Sequence, residues 1–325
     1  MVPFLLGTAY ALYHFRAFNP VNCLLMLVSL LFIDMATTAI NNLLDYKRAH
    51  KKEGFGFETH NAIVKYNMSQ NAVLTTIFVL VAISVTFGFL LFLNTNIIVL
   101  ILGALSFLVG VTYSFGPIPI SRTPFGEIFS GGFMGLVIPF LAVYIHVFDQ
   151  NLIGFGFSNA QYAASAVNAV NAVSAVNAAT GGLSDYTFLN FSFKFFELLK
   201  IFLISVPVAA GIANIMLANN ICDMEDDLAN KRYTLPIFIG KRNALYVFAG
   251  LYFAGYASLI LAVILGGAPL MSLVVLLTIP LLIKNLRTFF KVQSKAGTFS
   301  LSVNNLLLVN VVLIVTVAAG AALRI

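Results

Sequence analysis

The chain alternates between long apolar runs and short polar or charged breaks. The runs fall near residues 2–15, 20–43, 71–93, 97–115, 127–148, 197–219, 244–265, 269–286 and 300–322. Continuous apolar stretches of about 18 residues or more predict helices that cross a bilayer, so the pattern predicts about nine spans. A transmembrane β-barrel would instead show short segments alternating in polarity. The first run is short for a crossing. No basic stretch precedes it and no clear small-residue cleavage site follows, so it reads as a tilted or thin helix rather than a cleaved signal.

Composition agrees: 60% of the 325 residues are hydrophobic and 9% are charged, which excludes a soluble domain of this length. Lys and Arg then orient the spans, because they accumulate in cytoplasmic loops. With the end of the second span inside, the cytoplasmic loops hold Lys47, Arg48, Lys51, Lys52, Lys65, Arg122, Lys231, Arg232, Lys241, Arg242, Lys284, Arg287, Lys291 and Lys295. Arg16, Lys194, Lys200 and Arg324 remain on the other side. This places the N-terminus in the cytoplasm and the C-terminus outside. The formal net charge of +6 then reflects loop bias toward anionic membrane lipid, and because the basic residues are scattered between spans they do not point to nucleic acid. Cys23 and Cys222 have neither metal-site nor disulfide spacing and read as small apolar residues.

Two polar strings interrupt this regularity. Asn41-Asn42-Leu43-Leu44-Asp45 closes the second run, and Asn219-Asn220-Ile221-Cys222-Asp223, continuing to Asp227, closes the sixth. Each opens into a basic loop, which suggests two related halves around one central cavity. On a helix turning about 100° per residue, Asp34, Thr38, Asn41 and Asp45 fall within about 60° of one another. Asn219, Asp223 and Asp227 share a face by four-residue spacing, with Asn220 alongside. Carboxylates and carboxamides are costly near hydrocarbon, and interhelical bonding does not require three carboxylates at one membrane face. Oxygen ligands of this kind suit Mg²⁺, with open positions for phosphate oxygens. Lys47, Arg48, Lys231 and Arg232 stand where they would stabilise a departing diphosphate, although the positive-inside bias accounts for basic residues there as well.

Other segments carry weaker signals. Tyr113 to Glu127 contains Pro117, Pro119 and Pro124 with Gly116 and Gly126, a rigid turn that displays Arg122. Residues 150–190 form an extracytoplasmic loop, and the Ala-Val-Asn repeat at 166–177 reads as an expansion without chemistry. His50 and His60 flank Glu53-Gly54-Phe55-Gly56-Phe57-Glu58, a segment that suits a lid better than a zinc site. Lys284, Arg287, Lys291 and Lys295 read as side chains snorkelling to headgroups, and Asn304, Asn305 and Asn310 as helix glue. No GxxxxGK[ST] phosphate loop is present.

The two strings resemble the motifs of the UbiA superfamily of intramembrane aromatic prenyltransferases. Its first motif, N-D-x-x-D, is matched by Asn41 to Asp45, with Asn42 where an acidic residue is common. Its second, D-x-x-x-D followed by a basic pair and Thr-Leu, is matched by Asp223 to Asp227 and then Lys231-Arg232-Tyr233-Thr234-Leu235. Asp45-Tyr46-Lys47-Arg48 and Tyr113-Ser114-x-Gly116-Pro117-x-Pro119-Ile120 look most like the menaquinone branch, the 1,4-dihydroxy-2-naphthoate polyprenyltransferases.

The resemblance implies a single all-α integral membrane domain over residues 1–325, with about nine transmembrane helices around a central cavity open at the cytoplasmic face. It also implies Mg²⁺, a polyprenyl diphosphate donor and an aromatic acceptor. Asp45, Asp223, Asp227 and Asn41 would then hold the metal, with Asp45, Asp223, Asp227, Lys47, Arg48 and Arg122 acting on the reactants. Asn41, Asn42, Tyr113, Asn219, Asn220, Lys231, Arg232 and Asp34 would line the substrates. With dihydroxynaphthoate the product is demethylmenaquinone, while 4-hydroxybenzoate and homogentisate are alternative acceptors. Two other classes compete: a secondary transporter, favoured by repeated halves and by Asp34 within a span, and a binding homologue without catalysis.

Overall fold

The computed structural model describes residues 1–48, 61–116, 119–159 and 187–324. In chain order its elements are α1 (Val2–Tyr10, continuing as a π-wound turn, Ala11–Phe15), α2 (Pro20–Arg48), α3 (Ala62–Lys65), α4 (Gln70–Leu93) and α5 (Ile97–Ser114). A short 3₁₀ turn (Ile120–Arg122) leads into α6 (Gly126–Val147), whose middle, Ser130–Val137, is π-wound. Strands β1 (Ile153–Asn159) and β2 (Thr187–Phe193) follow. Then come α7 (Phe195–Cys222), α8 (Met224–Ala229), α9 (Leu235–Ile239), α10 (Lys241–Ile264), α11 (Leu270–Lys291, opening as 3₁₀ over Leu270–Thr278) and α12 (Ser300–Leu323).

Among the described residues, eight helices are long and apolar enough to cross a membrane: α2, α4, α5, α6, α7, α10, α11 and α12. The expectation of about nine is not confirmed at the first run. That run is a helix of 9 residues plus a π turn of 5. At about 1.5 Å per residue this is shorter than a hydrocarbon core of about 30 Å. Elsewhere, apolar side chains such as Phe78 and Leu277 point outward. That suits hydrocarbon, where only a helix or a closed barrel satisfies the backbone internally.

Small residues and hydroxyls bring the helices together. A Cβ on Gly135 would lie 2.2 Å from Ala209 Cα, and one on Gly131 would lie 3.0 Å from the Ala213 Cβ. Thus Gly131 and Gly135 of α6 lie against Ala209 and Ala213 of α7, small residues four apart on both sides, which lets the backbones touch. Between α2 and α4, Ser29 Oγ donates to the Ser84 carbonyl at 2.9 Å and Ser84 Oγ donates to that of Ser29 at 2.8 Å. At the far end of α2, Asn22 Nδ2 donates to the Ile145 carbonyl at 2.9 Å.

The chain divides into two compact units, residues 1–146 with 200–325, and residues 147–199. The second, where the sequence suggested a loop with a low-complexity insert, contains a two-stranded sheet. β1 and β2 pair antiparallel from Ile153 opposite Phe193 to Asn159 opposite Thr187. The sequence carries the two-residue alternation of strands, Ile153-Gly154-Phe155-Gly156-Phe157 against Leu189-Asn190-Phe191-Ser192-Phe193. The 166–177 repeat lies outside the described residues, as do His50, His60 and the 53–58 segment.

Candidate active site

The second polar string sits where α7 passes into α8. The Asp223 N–H bonds the Asn219 carbonyl at 3.1 Å and the Asp227 N–H bonds that of Asp223 at 2.7 Å, so four-residue spacing survives the junction. α8 closes with a Schellman turn. The Arg232 N–H returns to the Asp227 carbonyl at 2.8 Å, the Lys231 N–H to that of Leu228 at 3.1 Å, and Lys231 takes a left-handed φ of 55°. This reversal brings Arg232 back over Asp227, with Nε 3.3 Å from Oδ1 as an ion pair. Thr234 Oγ1 donates to Asp227 Oδ2 at 3.2 Å. Asp227 and Thr234 are both buried. Burial pushes the Asp227 carboxyl above its usual range and the nearby Asp223 adds to this, while Arg232, the Thr234 hydroxyl and Lys295 pull it back.

The Tyr113–Glu127 turn supports this junction through its backbone. Arg232 Nη2 donates to the Ser121 carbonyl at 3.3 Å, and the Tyr233 N–H donates to the Arg122 carbonyl at 3.0 Å. Buried Glu127, in the first turn of α6, accepts from buried Asn220 Nδ2 at 2.8 Å. Tyr113 Oη packs against Gly126, 3.5 Å from where a Cβ would sit. Among the described residues, buried Tyr113 Oη and Glu127 Oε2 have no hydrogen-bond partner, which leaves two polar atoms beside the junction for a ligand.

Lys295 is placed differently from its expected role. Lys284, Arg287 and Lys291 are exposed on α11, as snorkelling requires, but Lys295 lies beyond its end and turns inward. Its ammonium is held by both Asn219 Oδ1 and Asp223 Oδ2, and it lies 5.3 Å from the Phe299 ring centroid.

In the first string, Asn41 Oδ1 accepts from Ser114 Oγ on α5. A run of contacts therefore joins the two strings, from Asn41 to Ser114 and its neighbour Tyr113, then to Gly126 and its neighbour Glu127, then to Asn220. Both ends of the Asn42 carboxamide engage the backbone: Nδ2 donates to the Thr38 carbonyl at 3.0 Å, and Oδ1 accepts from the Ala62 N–H at 3.0 Å. Asp45 and Lys47 are exposed at the end of α2, and the Arg48 side chain lies outside the described residues. Asp34 is exposed further up α2, where its carbonyl accepts from Thr37 and Thr38. Lys231 is exposed. Among the described residues, no three His, Cys, Asp or Glu side chains meet closely enough to form a metal cluster by themselves.

The sequence flagged Glu127 and Ser114 only as members of the Tyr113–Glu127 turn and Thr234 only as part of a motif tail, without giving any of them a site role, and it gave no sign of the inward turn of Lys295. Thr234 had a local signal in the Thr-Leu that follows the basic pair, and Ser114 and Glu127 had one in the Pro- and Gly-rich turn that contains them.

A family model for the UbiA prenyltransferase family matches residues 1–311. The chain is 28% identical over 280 residues to a 1,4-dihydroxy-2-naphthoate octaprenyltransferase of Bacillus subtilis (strain 168), covering 86% of this chain and 74% of that protein. In three dimensions it resembles the apo structure of a UbiA homologue from Aeropyrum pernix K1, with a TM-score of 0.63 at 17% identity over 97% of both chains. It also resembles a UbiA homologue from Archaeoglobus fulgidus bound to GPP and Mg²⁺, with a TM-score of 0.55 at 14% identity over 99% of this chain and 95% of that one.

Proposed function

Since the chain belongs to the UbiA prenyltransferase family and is a multi-pass membrane prenyltransferase, we propose that it transfers a polyprenyl group from a polyprenyl diphosphate to 1,4-dihydroxy-2-naphthoate in a Mg²⁺-dependent reaction. Two matters support the acceptor: the name of the Bacillus subtilis relative, and the match of Asp45-Tyr46-Lys47-Arg48 to the menaquinone branch. The Archaeoglobus fulgidus homologue, with GPP and Mg²⁺ bound, supports the donor class and the metal.

The observation that carries the reading is the pair of oxygens on Lys295. Asn219 Oδ1 and Asp223 Oδ2 converge on one cationic group, here an ammonium. Carboxylate and carboxamide oxygens around a single point are the donor set of a hard divalent cation, so the residues fit Mg²⁺. Asp223, Asp227 and Asn219 would hold it from the second motif, Asp45 and Asn41 from the first. When bound, the metal supplies positive charge against the oxygens of the leaving diphosphate.

The other residues have distinct tasks in this reading. Lys47, Arg48, Lys231 and Arg232 bind the remaining diphosphate oxygens and stabilise the charge that develops as the C–O bond breaks. The diphosphate leaves with the bonding electron pair, and an allylic cation remains. Apolar helix walls house the prenyl tail and keep water from capturing that cation. Arg122 holds the acceptor carboxylate, with Tyr113, Asn42, Asn220 and Asp34 lining the substrates. The ring carbon bearing the carboxylate attacks the cation. Loss of CO₂ then returns its bonding pair to the ring and leaves the quinol form of demethylmenaquinone. The cytoplasm supplies both reactants, with the N-terminus on that side and the C-terminus outside.

The test is prenyl transfer by the purified chain in detergent, followed by mass spectrometry of the lipid product. Prenylated naphthoquinol should form with Mg²⁺ and stop with a chelator. Asp223→Asn and Asp227→Asn should each abolish turnover in correctly inserted protein. Near wild-type rates from either variant refute the metal role, and product formed only with 4-hydroxybenzoate or homogentisate refutes the acceptor.

A further inference from the structure

We propose that Lys295 is a resident cation that occupies the oxygen pair of Asn219 and Asp223 and competes with the divalent metal for it. The inference rests on the metal role given above to Asp223, and it assigns to Lys295 a positioning task on the ligand set. The ammonium is held by Asn219 Oδ1 and Asp223 Oδ2 together, and the Phe299 ring lies on its flank. The stem starts beyond the end of α11, and the turn carrying it is itself pinned. The Thr298 N–H bonds the Ser294 carbonyl at 2.9 Å, and Thr298 Oγ1 both accepts from the Ser294 N–H and donates to the Val292 carbonyl at 2.9 Å. Lys295 therefore issues from a braced loop rather than a free helix face.

Two carboxylates one turn apart, Asp223 and Asp227, would repel each other without counter-charge. Arg232 answers Asp227 and Lys295 answers Asp223, so each acid has its own cation. The two cations differ in how they are held. Arg232 is tied by the Schellman turn and by the Ser121 carbonyl, whereas the Lys295 ammonium sits on a flexible four-carbon stem. Metal entry at Asn219 and Asp223 must displace the ammonium.

Metal affinity without donor is the direct readout. Mn²⁺ is titrated into the purified full chain in detergent, and the free-Mn²⁺ electron paramagnetic resonance signal is followed with no prenyl diphosphate present. Lys295→Met and Lys295→Gln should each bind Mn²⁺ roughly tenfold more tightly than wild type, because the competing charge is gone. Lys295→Arg should bind like wild type or more weakly. A merely structural lysine would give the opposite sign, since its loss would loosen the ligand set. Thermal unfolding of each variant confirms the fold, and Lys295→Gln, which retains an amide donor for Asp223, is the variant to use should Lys295→Met be unstable. Unchanged or weaker Mn²⁺ binding in the folded variants overturns the proposal. Asp223→Asn separates the two levels of the argument. Weakened Mn²⁺ binding there, with unchanged binding in the Lys295 variants, sinks only the role of Lys295. Unweakened binding in Asp223→Asn sinks the metal reading and this inference with it.

Discussion

Arg232 meets Asp227 twice, through Nε at 3.3 Å from Oδ1 and through its backbone N–H at 2.8 Å from the Asp227 carbonyl. The backbone bond sets the separation of the two residues before the side chains meet. Less side-chain freedom is then lost in forming the ion pair than at an unconstrained surface pair. The same turn places Thr234 on the other carboxylate oxygen. The eight residues from Asp227 to Thr234 thus hold two of the groups, Arg232 and Thr234, that oppose the rise in the pKa of this buried acid.

The pH dependence of turnover should report this pair. Burial raises the Asp227 pKa and Arg232 opposes that rise. Arg232→Met removes the opposing charge, so Asp227 takes up its proton at higher pH, and under the metal role proposed for it the metal would lose that ligand there. The acid limb of the Mg²⁺-dependent rate should move to higher pH in this variant, and a pH–rate profile checks it. Without metal the sign for stability is the reverse. A carboxyl whose folded pKa is raised contributes stability below its unfolded value of about 3.9 and loses it as pH rises through the folded value.

Thr234→Val keeps shape and removes one donor. Asp227 Oδ2 then loses its 3.2 Å hydrogen bond in a buried setting. Stability at neutral pH should fall by about 1 kcal/mol. The thermal unfolding midpoint in detergent measures it, and the prenyl-transfer rate should fall as well.

Gly135 and Gly132 give a paired packing test in α6. A Cβ at Gly135 would meet Ala209 Cα at 2.2 Å, whereas one at Gly132 finds nothing within 4 Å. Gly135→Ala should destabilise by about 1–3 kcal/mol through forced separation of α6 and α7. Gly132→Ala should be neutral or stabilising by up to about 1 kcal/mol, because alanine is the better helix former. Unfolding midpoints of the two variants should therefore move apart.

Asn42 should matter as a brace for the end of α2. Asn42→Asp keeps the acceptor for the Ala62 N–H but places a carboxylate oxygen against the Thr38 carbonyl, where Nδ2 had donated at 3.0 Å. The unfolding midpoint should drop by the equivalent of about 1 kcal/mol. An unchanged midpoint would mean that the carboxamide does not brace α2.

Much of the membrane architecture and part of the site was legible in the chain. Apolar runs announce membrane helices because hydrocarbon allows no other open backbone, and eight of the runs read from the sequence are helices long enough to cross. The spacing of Asn219, Asp223 and Asp227 carries through because the Asp223 and Asp227 N–H groups still bond four residues back where α7 gives way to α8. The Lys295 contact was hidden, because 72 residues separate it from Asp223 and its spacing with Lys284, Arg287 and Lys291 imitates a headgroup stripe. The β1–β2 hairpin was obscured for a related reason: a low-complexity repeat lies between strands that are each only 7 residues long.

Local periodicity and composition determine what each segment becomes, because helix formation in an apolar run depends on neighbours a turn away. By itself the sequence therefore settled the long helices and their polar ends. Which cation answers which acid was decided only by tertiary structure. That Asn41 reaches Ser114, that Asn220 turns to Glu127 and that Lys295 rather than Lys231 holds Asp223 all depend on contacts between distant segments. Such contacts arise when packed helices bring their ends together, and spacing along a chain carries no record of them.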